Sequence, residues 1–207
     1  MSPPPAIVDS SVLYSRHLRN ALVWHSLEGL FELRWSALIL DETRRSLIER
    51  NLDAYGEERA SAVDRVLGRV TSALSSIYPD AEVPAEEIQS LVKQMTNDPK
   101  DRHVLAAAVA TGSQFVVTAN LKDFRPQDTG PHGVEALSAD AFLTKLLDEQ
   151  AVELCSAALA NQADFHDWTL KQLLELLGQP AEHRPAWLPQ YVCRYEELTA
   201  TPSDPPD

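Results

Sequence analysis

Four short acidic segments in the first 125 residues constrain this chain more than any other feature. They are Ile7-Val8-Asp9-Ser10, Leu40-Asp41-Glu42, Asp98-Pro99-Lys100-Asp101-Arg102-His103 and Thr118-Ala119-Asn120-Leu121-Lys122-Asp123-Phe124. Each places a carboxylate, or its amide analogue, at or near the end of an apolar run. In an open α/β sheet the ends of several strands and the starts of the following helices meet along one edge. Carboxylates brought together there repel one another unless a divalent cation sits between them. The pattern therefore predicts an α/β sheet with a hydrolytic metal site along one edge.

The apolar periodicity between these segments supports that architecture. Ala6 to Asp9 reads as a first buried strand, and leucines at 18, 22, 27 and 30 predict a helix over about 12–30. Residues 31–40 (FELRWSALIL) predict a strand or extended entry, and Asp41-Glu42-Thr43 a helix with acids in its first turn, as the helix dipole prefers. A second amphipathic helix is predicted over 57–75, a short strand near 81–83 and a helix over 85–95. Asp101 opens an Ala-rich helix ended by Gly112, Phe115 to Thr118 is a β-branched strand, and 134–137 a short edge strand before a capped helix over 138–147. Strands alternating with helices imply a mainly parallel sheet covered on both faces. Two further helices are predicted over about 149–162 and 166–178, and 180–207 is Pro-rich and expected to be extended and partly disordered. The expected division is 1–147, 148–180 as a helical extension, and 181–207 as a tail.

Composition narrows the function classes. The 207 residues are 44% hydrophobic, enough for a proper core, and no apolar stretch approaches a membrane-spanning length. The N-terminus lacks a basic segment and an apolar signal core, so a cytoplasmic protein is expected. Cys155 and Cys193 stand apart from each other and from any His at metal spacing, which argues against a zinc site or a disulfide. A net charge of -13 argues against a broad basic surface for nucleic acid, but leaves room for a nuclease with local basic strips.

Each acid also has an ordinary structural role to set against the metal role. Asp9 after a buried strand costs free energy unless solvated, paired or metal-bound, yet it is also placed to cap the next helix. Glu42 is a first-turn acid beside the competing cap Asp41. Asp101 is an N-cap or first-turn acid, with Asp98, Arg102 and His103 close by. Asn120 and Asp123 are ordinary turn residues, and Thr118 is a strand residue able to bond a water or a phosphate oxygen. Arg16, Arg19, Arg44, Arg45, Lys100, Arg102 and Lys122 are the cations near the expected edge, each placed equally for a solvated surface role.

Taken in order, AIVDSSVLY, WSALILDE with its basic helix, and NDPKDRHVLAAAVATGSQFVVTANLKDF resemble the PIN-domain ribonucleases, especially the toxin half of bacterial VapBC toxin–antitoxin pairs. The resemblance covers about 5–147 and implies a three-layer α/β/α fold with a mainly parallel sheet plus a C-terminal helical extension. It implies Mg²⁺- or Mn²⁺-dependent endonucleolytic cleavage of RNA, with Asp9, Glu42 and Asp101 as the first three family acids. The fourth position falls on Asn120, where many relatives carry Asp, or on Asp123. Asp9 and Asp101 would hold the metal, with Glu42 and Asn120 or Asp123 orienting waters or a second ion. Thr118, Arg102, Arg16 and Lys122 are candidates to touch substrate. A cognate antitoxin is implied as partner and a homodimer is compatible with the family. The alternative is a catalytically weak PIN-like protein that acts by binding a partner, a role suited to Asn120 and to the acidity. A small-substrate phosphatase is disfavoured, because Asp9-Ser10-Ser11 lacks a second acid.

Overall fold

The computed structural model describes residues 2–149, 152–181 and 185–200. Strand β1 (Pro5–Val8) is followed by a one-turn helix α1 (Ser10–Leu13) and by α2 (Arg16–Leu27). Strand β2 (Glu32–Ser36) leads into a helical hairpin, α3 (Ala37–Tyr55) and α4 (Glu57–Ile77). Then come β3 (Glu82–Val83), α5 (Ala85–Val92), α6 (Arg102–Ala110) and β4 (Phe115–Val117). A 3-10 turn over Leu121–Asp123 and short α7 (Pro126–Thr129) precede β5 (Glu135–Leu137). The C-terminal helices are α8 (Ala139–Glu149), α9 (Val152–Phe165), α10 (Leu170–Gly178) and α11 (Pro189–Thr199).

The sheet runs β3-β2-β1-β4-β5, and every neighbouring pair is parallel. Ile7 and Val8 of the central strand pair with Val116 and Val117, and all four are fully buried. Burial of both side-chain parities means that helices cover both faces, as the continuous apolar runs require. The Ala-rich stretch explains how α6 lies so close to β1, β2 and β4: Ala106, Ala107 and Ala108 are fully buried, and their methyl groups add little thickness. The observed three-layer α/β/α architecture with helices at its C-terminal end matches the expectation.

Three expectations are corrected. The helix expected over 12–30 is two helices, because the Ser15 hydroxyl accepts from Leu18 N and starts α2 afresh. The apolar run 31–40 is strand only to Ser36, whose hydroxyl caps α3 by accepting from Ile39 N. Glu42 therefore lies in the second turn of α3, not the first. The third correction concerns the tail. Pro189, suited to the first turn of a helix by its fixed φ, opens α11, which buries Tyr191, Val192 and Tyr195. The expected disorder over 182–184 and 201–207 lies outside the described residues.

Helix α11 is bound to the main core by polar contacts as well as apolar ones. The Asp140 carboxylate on α8 accepts from Gln190 N and Tyr191 N at 3.2 and 2.9 Å, so it caps α11 from another element. Gly178 permits the close contact of α10 with α11, since a Cβ there would stand 2.9 Å from Val192 Cγ1. His25 on α2 is fully buried; its Nδ1 donates to Ala21 O at 2.7 Å, so Nε2 must accept from the Tyr191 hydroxyl at 2.5 Å. Burial holds His25 in this neutral form and lowers its pKa from 6.5 to about 4.

The sign of the resulting pH dependence follows from linkage. Between about pH 6.5 and 4 the unfolded chain protonates His25 and the folded one resists, so stability drops as pH falls through that window. The full difference is on the order of 3 kcal/mol. Urea unfolding across this range, compared with His25→Gln, is expected to show a steeper acid loss in the parent; parallel curves would refute the assignment.

Candidate functional site

Strands β1 and β4 are neighbours whose chains depart to opposite sides of the sheet, β1 to β2 and β4 to β5. Their C-terminal ends therefore flank the crevice in which open α/β sheets bind ligands. Asp9 and Thr118 are the residues immediately after those strands. Asp9 N–H still donates to Val117 O at 3.0 Å, which fixes the carboxylate against β4.

Asp9 is 3% exposed and held by hydroxyls. Ser11 and Thr118 donate to Oδ2 at 2.6 and 2.7 Å, and Ser10 approaches Oδ1 at 3.3 Å. Ser11 Oγ also accepts from Ala119 N at 3.0 Å, and Thr118 Oγ1 accepts from Asn120 N at 3.0 Å. These hydroxyls tie the loop after β1 to the loop after β4. Asp9 occupies the N-cap position of α1 without making a capping bond, so the ordinary role for this acid is not used. The same holds for Asp101 at the N-cap of α6.

Helix α6 runs into β4 and so begins at the edge where the strands end. This carries Asp101 to the same place as Asp9. Burial first, and then the charges of Asp9, Asp123, Glu42 and Asp98, together raise the Asp101 carboxyl from 3.8 to about 6. Four of the acids picked out in the sequence thus act on a fifth. Asn120 Nδ2 donates to Asp123 Oδ2, so the two candidates for the fourth position are hydrogen-bonded to each other.

Glu42 approaches from α3. Its Oε2 lies 3.7 Å from His103 Nε2, beyond hydrogen-bond length, and both atoms are buried with no hydrogen-bond partner. His103 Nδ1 donates to Lys100 O at 2.9 Å, which orients the ring. Asp98 is used locally, accepting from Lys100 N at 3.0 Å.

The donor set fits a hard divalent cation. It consists of carboxylate and amide oxygens, it contains an orphaned buried carboxylate oxygen on Glu42, and it carries uncompensated like charge around Asp101. Among the described residues no three His, Cys, Asp or Glu side chains stand close enough together to grip an ion alone. An ion that keeps much of its water shell, as Mg²⁺ does, suits that spacing.

The proposed substrate contacts are placed unevenly. Thr118 is fully buried and spends its hydroxyl on Asp9 and Asn120, so its place is in holding the carboxylate rather than touching substrate. Arg16 lies near Arg19 and His166 and does not line the cleft beside Asp123. Arg102 and Lys122 do line that cleft. Arg44 pairs with Asp64 of α4, and Arg19 donates to Leu13 O at 2.7 Å. Sequence reasoning missed Ser11 as a site residue; two hydroxyls directly after the acid were the available signal. It also missed Asn97, although that residue opens the NDPKDRHV segment, and Arg125 and Asp128, which lie outside every motif.

The family model for the PIN domain matches residues 5–122. The chain is 32% identical over 136 residues to a Mycobacterium tuberculosis protein named "Putative ribonuclease VapC50", spanning 64% of this chain and 76% of that one. No solved structure gives a significant match.

The raised Asp101 carboxyl generates a two-sided expectation. Its folded pKa exceeds the unfolded one, so its contribution is fully present below about pH 4 and is lost as pH rises through about 6. Asp101→Asn should therefore raise the thermal midpoint of metal-free protein at pH 8. Added Mg²⁺ or Mn²⁺ should raise the midpoint of the parent and leave the variant nearly unmoved. A variant that melts lower than the parent in EDTA would make Asp101 a structural acid.

Proposed function

The chain belongs to the PIN-domain family, and from that footing we propose that it is a divalent-metal-dependent endoribonuclease, the toxin component of a toxin–antitoxin pair. The observation that carries this reading is the convergence of Asp9, Glu42, Asp98 and Asp123 on Asp101. Repulsion of that kind is costly in a fold unless the acids have a cation to share. Similarity to a relative whose name is that of a ribonuclease supports the reaction class.

Asp9 and Asp101 are the proposed direct holders of Mg²⁺ or Mn²⁺, with Glu42 and the Asn120–Asp123 pair orienting water around it. When bound, such an ion polarises the phosphate and lowers the pKa of water. The chain's own residues do the positioning. Ser11 and Thr118 lock the Asp9 carboxylate, so its oxygens need no reorganisation when substrate arrives. Glu42 and Asp101 face the same edge as acceptors for the protons of a water aligned on the phosphorus. The oxygen of that water bonds to phosphorus, the bond from phosphorus to the 3′ oxygen breaks, and a proton goes to the departing oxygen. The products are a 5′ phosphate and a 3′ hydroxyl.

The proposed inhibitor is a cognate antitoxin, whose Arg guanidinium would match these carboxylates in a bidentate pair. The proposed compartment is the cytoplasm; no helix among the described residues is long and apolar enough to cross a membrane.

The test is cleavage of a mixed structured RNA pool by antitoxin-free protein with Mg²⁺, Mn²⁺ or EDTA. Cuts should need metal and should fall by on the order of 100-fold or more in Asp9→Asn and Asp101→Asn, with circular dichroism unchanged. Folded parent protein that cuts nothing under any metal would overturn the ribonuclease reading and favour the partner-binding alternative.

A further inference from the structure

Next to the carboxylates lies a second feature that the reaction as described does not use. A cleft of about 330 Å³ is lined by Thr96, Asn97, Asp98, Pro99, Arg102, Lys122, Asp123 and Arg125. That volume is at the lower end of small-ligand sites, about right for one nucleotide. Asp123 belongs to the cleft and to the acid cluster, and Arg102 follows Asp101 directly, so the two sites share a border.

Three cations face two acids in this lining, on a chain whose net charge is -13. Both arginines are anchored in the same way. Arg102 donates through Nε to Asn97 O at 3.2 Å, and Arg125 through Nε to Asp128 Oδ2 at 2.9 Å. Among the described residues each guanidinium makes this one hydrogen bond, which leaves the paired outer nitrogens for a ligand. A planar fork held by one nitrogen suits a phosphate better than a flexible ammonium does. The Arg125 anchor is itself braced: Asp128 is 6% exposed and also accepts from Thr96 Oγ1 at 2.8 Å. Thr96 belongs to the loop that opens the cleft, so this bond ties the loop before α6 to the segment after β4.

Asn97 supplies the second, independent observation. It is 2% exposed, and its Nδ2 and Oδ1 are both buried without a hydrogen-bond partner. Leaving a buried donor and a buried acceptor unmade costs a fold on the order of 1–3 kcal/mol each. Its backbone carbonyl accepts from Arg102 Nε, which ties the residue to the start of α6. A side-chain amide with one donor and one acceptor in hand matches the edge of a nucleobase.

We propose that this cleft is the subsite for the nucleotide next to the scissile phosphate, with Arg102, Lys122 and Arg125 holding its phosphate and the Asn97 amide meeting its base edge. This rests on the ribonuclease reading above. Phosphate contacts set affinity without selecting sequence, whereas a base-edge contact selects. The cations should therefore govern binding of every RNA alike, and Asn97 should govern where the chain is cut.

The experiment separates those roles and separates the subsite from the reaction. Binding of a short fluorescein-labelled mixed-sequence RNA is measured in an Asp101→Asn background over a salt series, and cut sites are mapped in the otherwise unaltered protein. Lys122→Gln and Arg125→Gln are each expected to weaken binding and to lower the salt slope by about one. Lys122 is exposed and makes no brace, so it remains informative if Arg125→Gln, which strips a partner from Asp128, fails to fold. Asn97→Ala is expected to relax the base preference at one position beside the cut while leaving that slope unchanged. Unaltered slopes in both cation variants, or an unaltered cut-site preference in folded Asn97→Ala, would overturn the subsite while metal-dependent cleavage persists. Absence of cleavage in the parent, with RNA binding still weakened in Lys122→Gln, would overturn the ribonuclease reading and the place of the cleft beside a scissile phosphate, leaving it a nucleotide-binding cleft only.

Discussion

Everything at the candidate site depends on the parallel pairing of β1 with β4. The register sets Val8 beside Val117, and Asp9 adds one more rung by donating to Val117 O. Asp9 and Thr118 then emerge side by side where the strands part, and a hydroxyl–carboxylate bond closes between residues 109 positions apart. A slip of one residue would turn every side chain on the strand to the opposite face. The buried valines and isoleucine on both faces make that slip expensive, so the apolar core specifies the position of a polar atom.

The site also gathers like charges around one carboxyl, that of Asp101. Helix α6 is pressed against the sheet by its buried alanines, which leaves Asp101 little freedom to move away from its neighbours. Other buried acids are fully reconciled: Asp128 has Thr96 and Arg125, and Asp140 has two backbone amides. The contrast shows that the chain can satisfy a buried carboxylate when packing alone is the purpose. At the sheet edge only Asp9 is satisfied in this way, while Glu42 Oε2 is left without a partner and Asp101 sits among like charges, a pattern expected where binding or catalysis sets the residue.

Much of the architecture was legible because it follows from periodicity. The short β-branched runs, the Ala-rich helix and the amphipathic stripe of α4 all say what they pack against. The boundaries that misled were those where one hydroxyl outranks the hydrophobic pattern, at Ser15 and Ser36. The C-terminal helix was hidden because Pro and polar residues dominate 180–207, while its stability comes from a remote carboxylate on α8 and a remote imidazole on α2. The acids of the site were visible from their places after apolar runs. Ser11, Asn97 and Arg125 were not, since their significance lies in what the fold brings beside them: Ser11 meets Ala119 across 108 positions, and Asn97 and Arg125 meet in a cleft built from two loops.

The bond between His25 and Tyr191 spans 166 positions, and it has a consequence for the order in which this protein comes into being. A ribosome releases the strands, the Ala-rich helix and every candidate site residue up to Asp123 before the tyrosine exists as a peptide. Contacts that close so long a loop form late and slow the final approach to the native state. A nascent or prematurely terminated chain would therefore carry the acidic edge while His25 still lacked the partner that its burial demands. In such a chain the chemistry is written before the clasp, and survival of the incomplete product becomes a contest between folding and proteolysis.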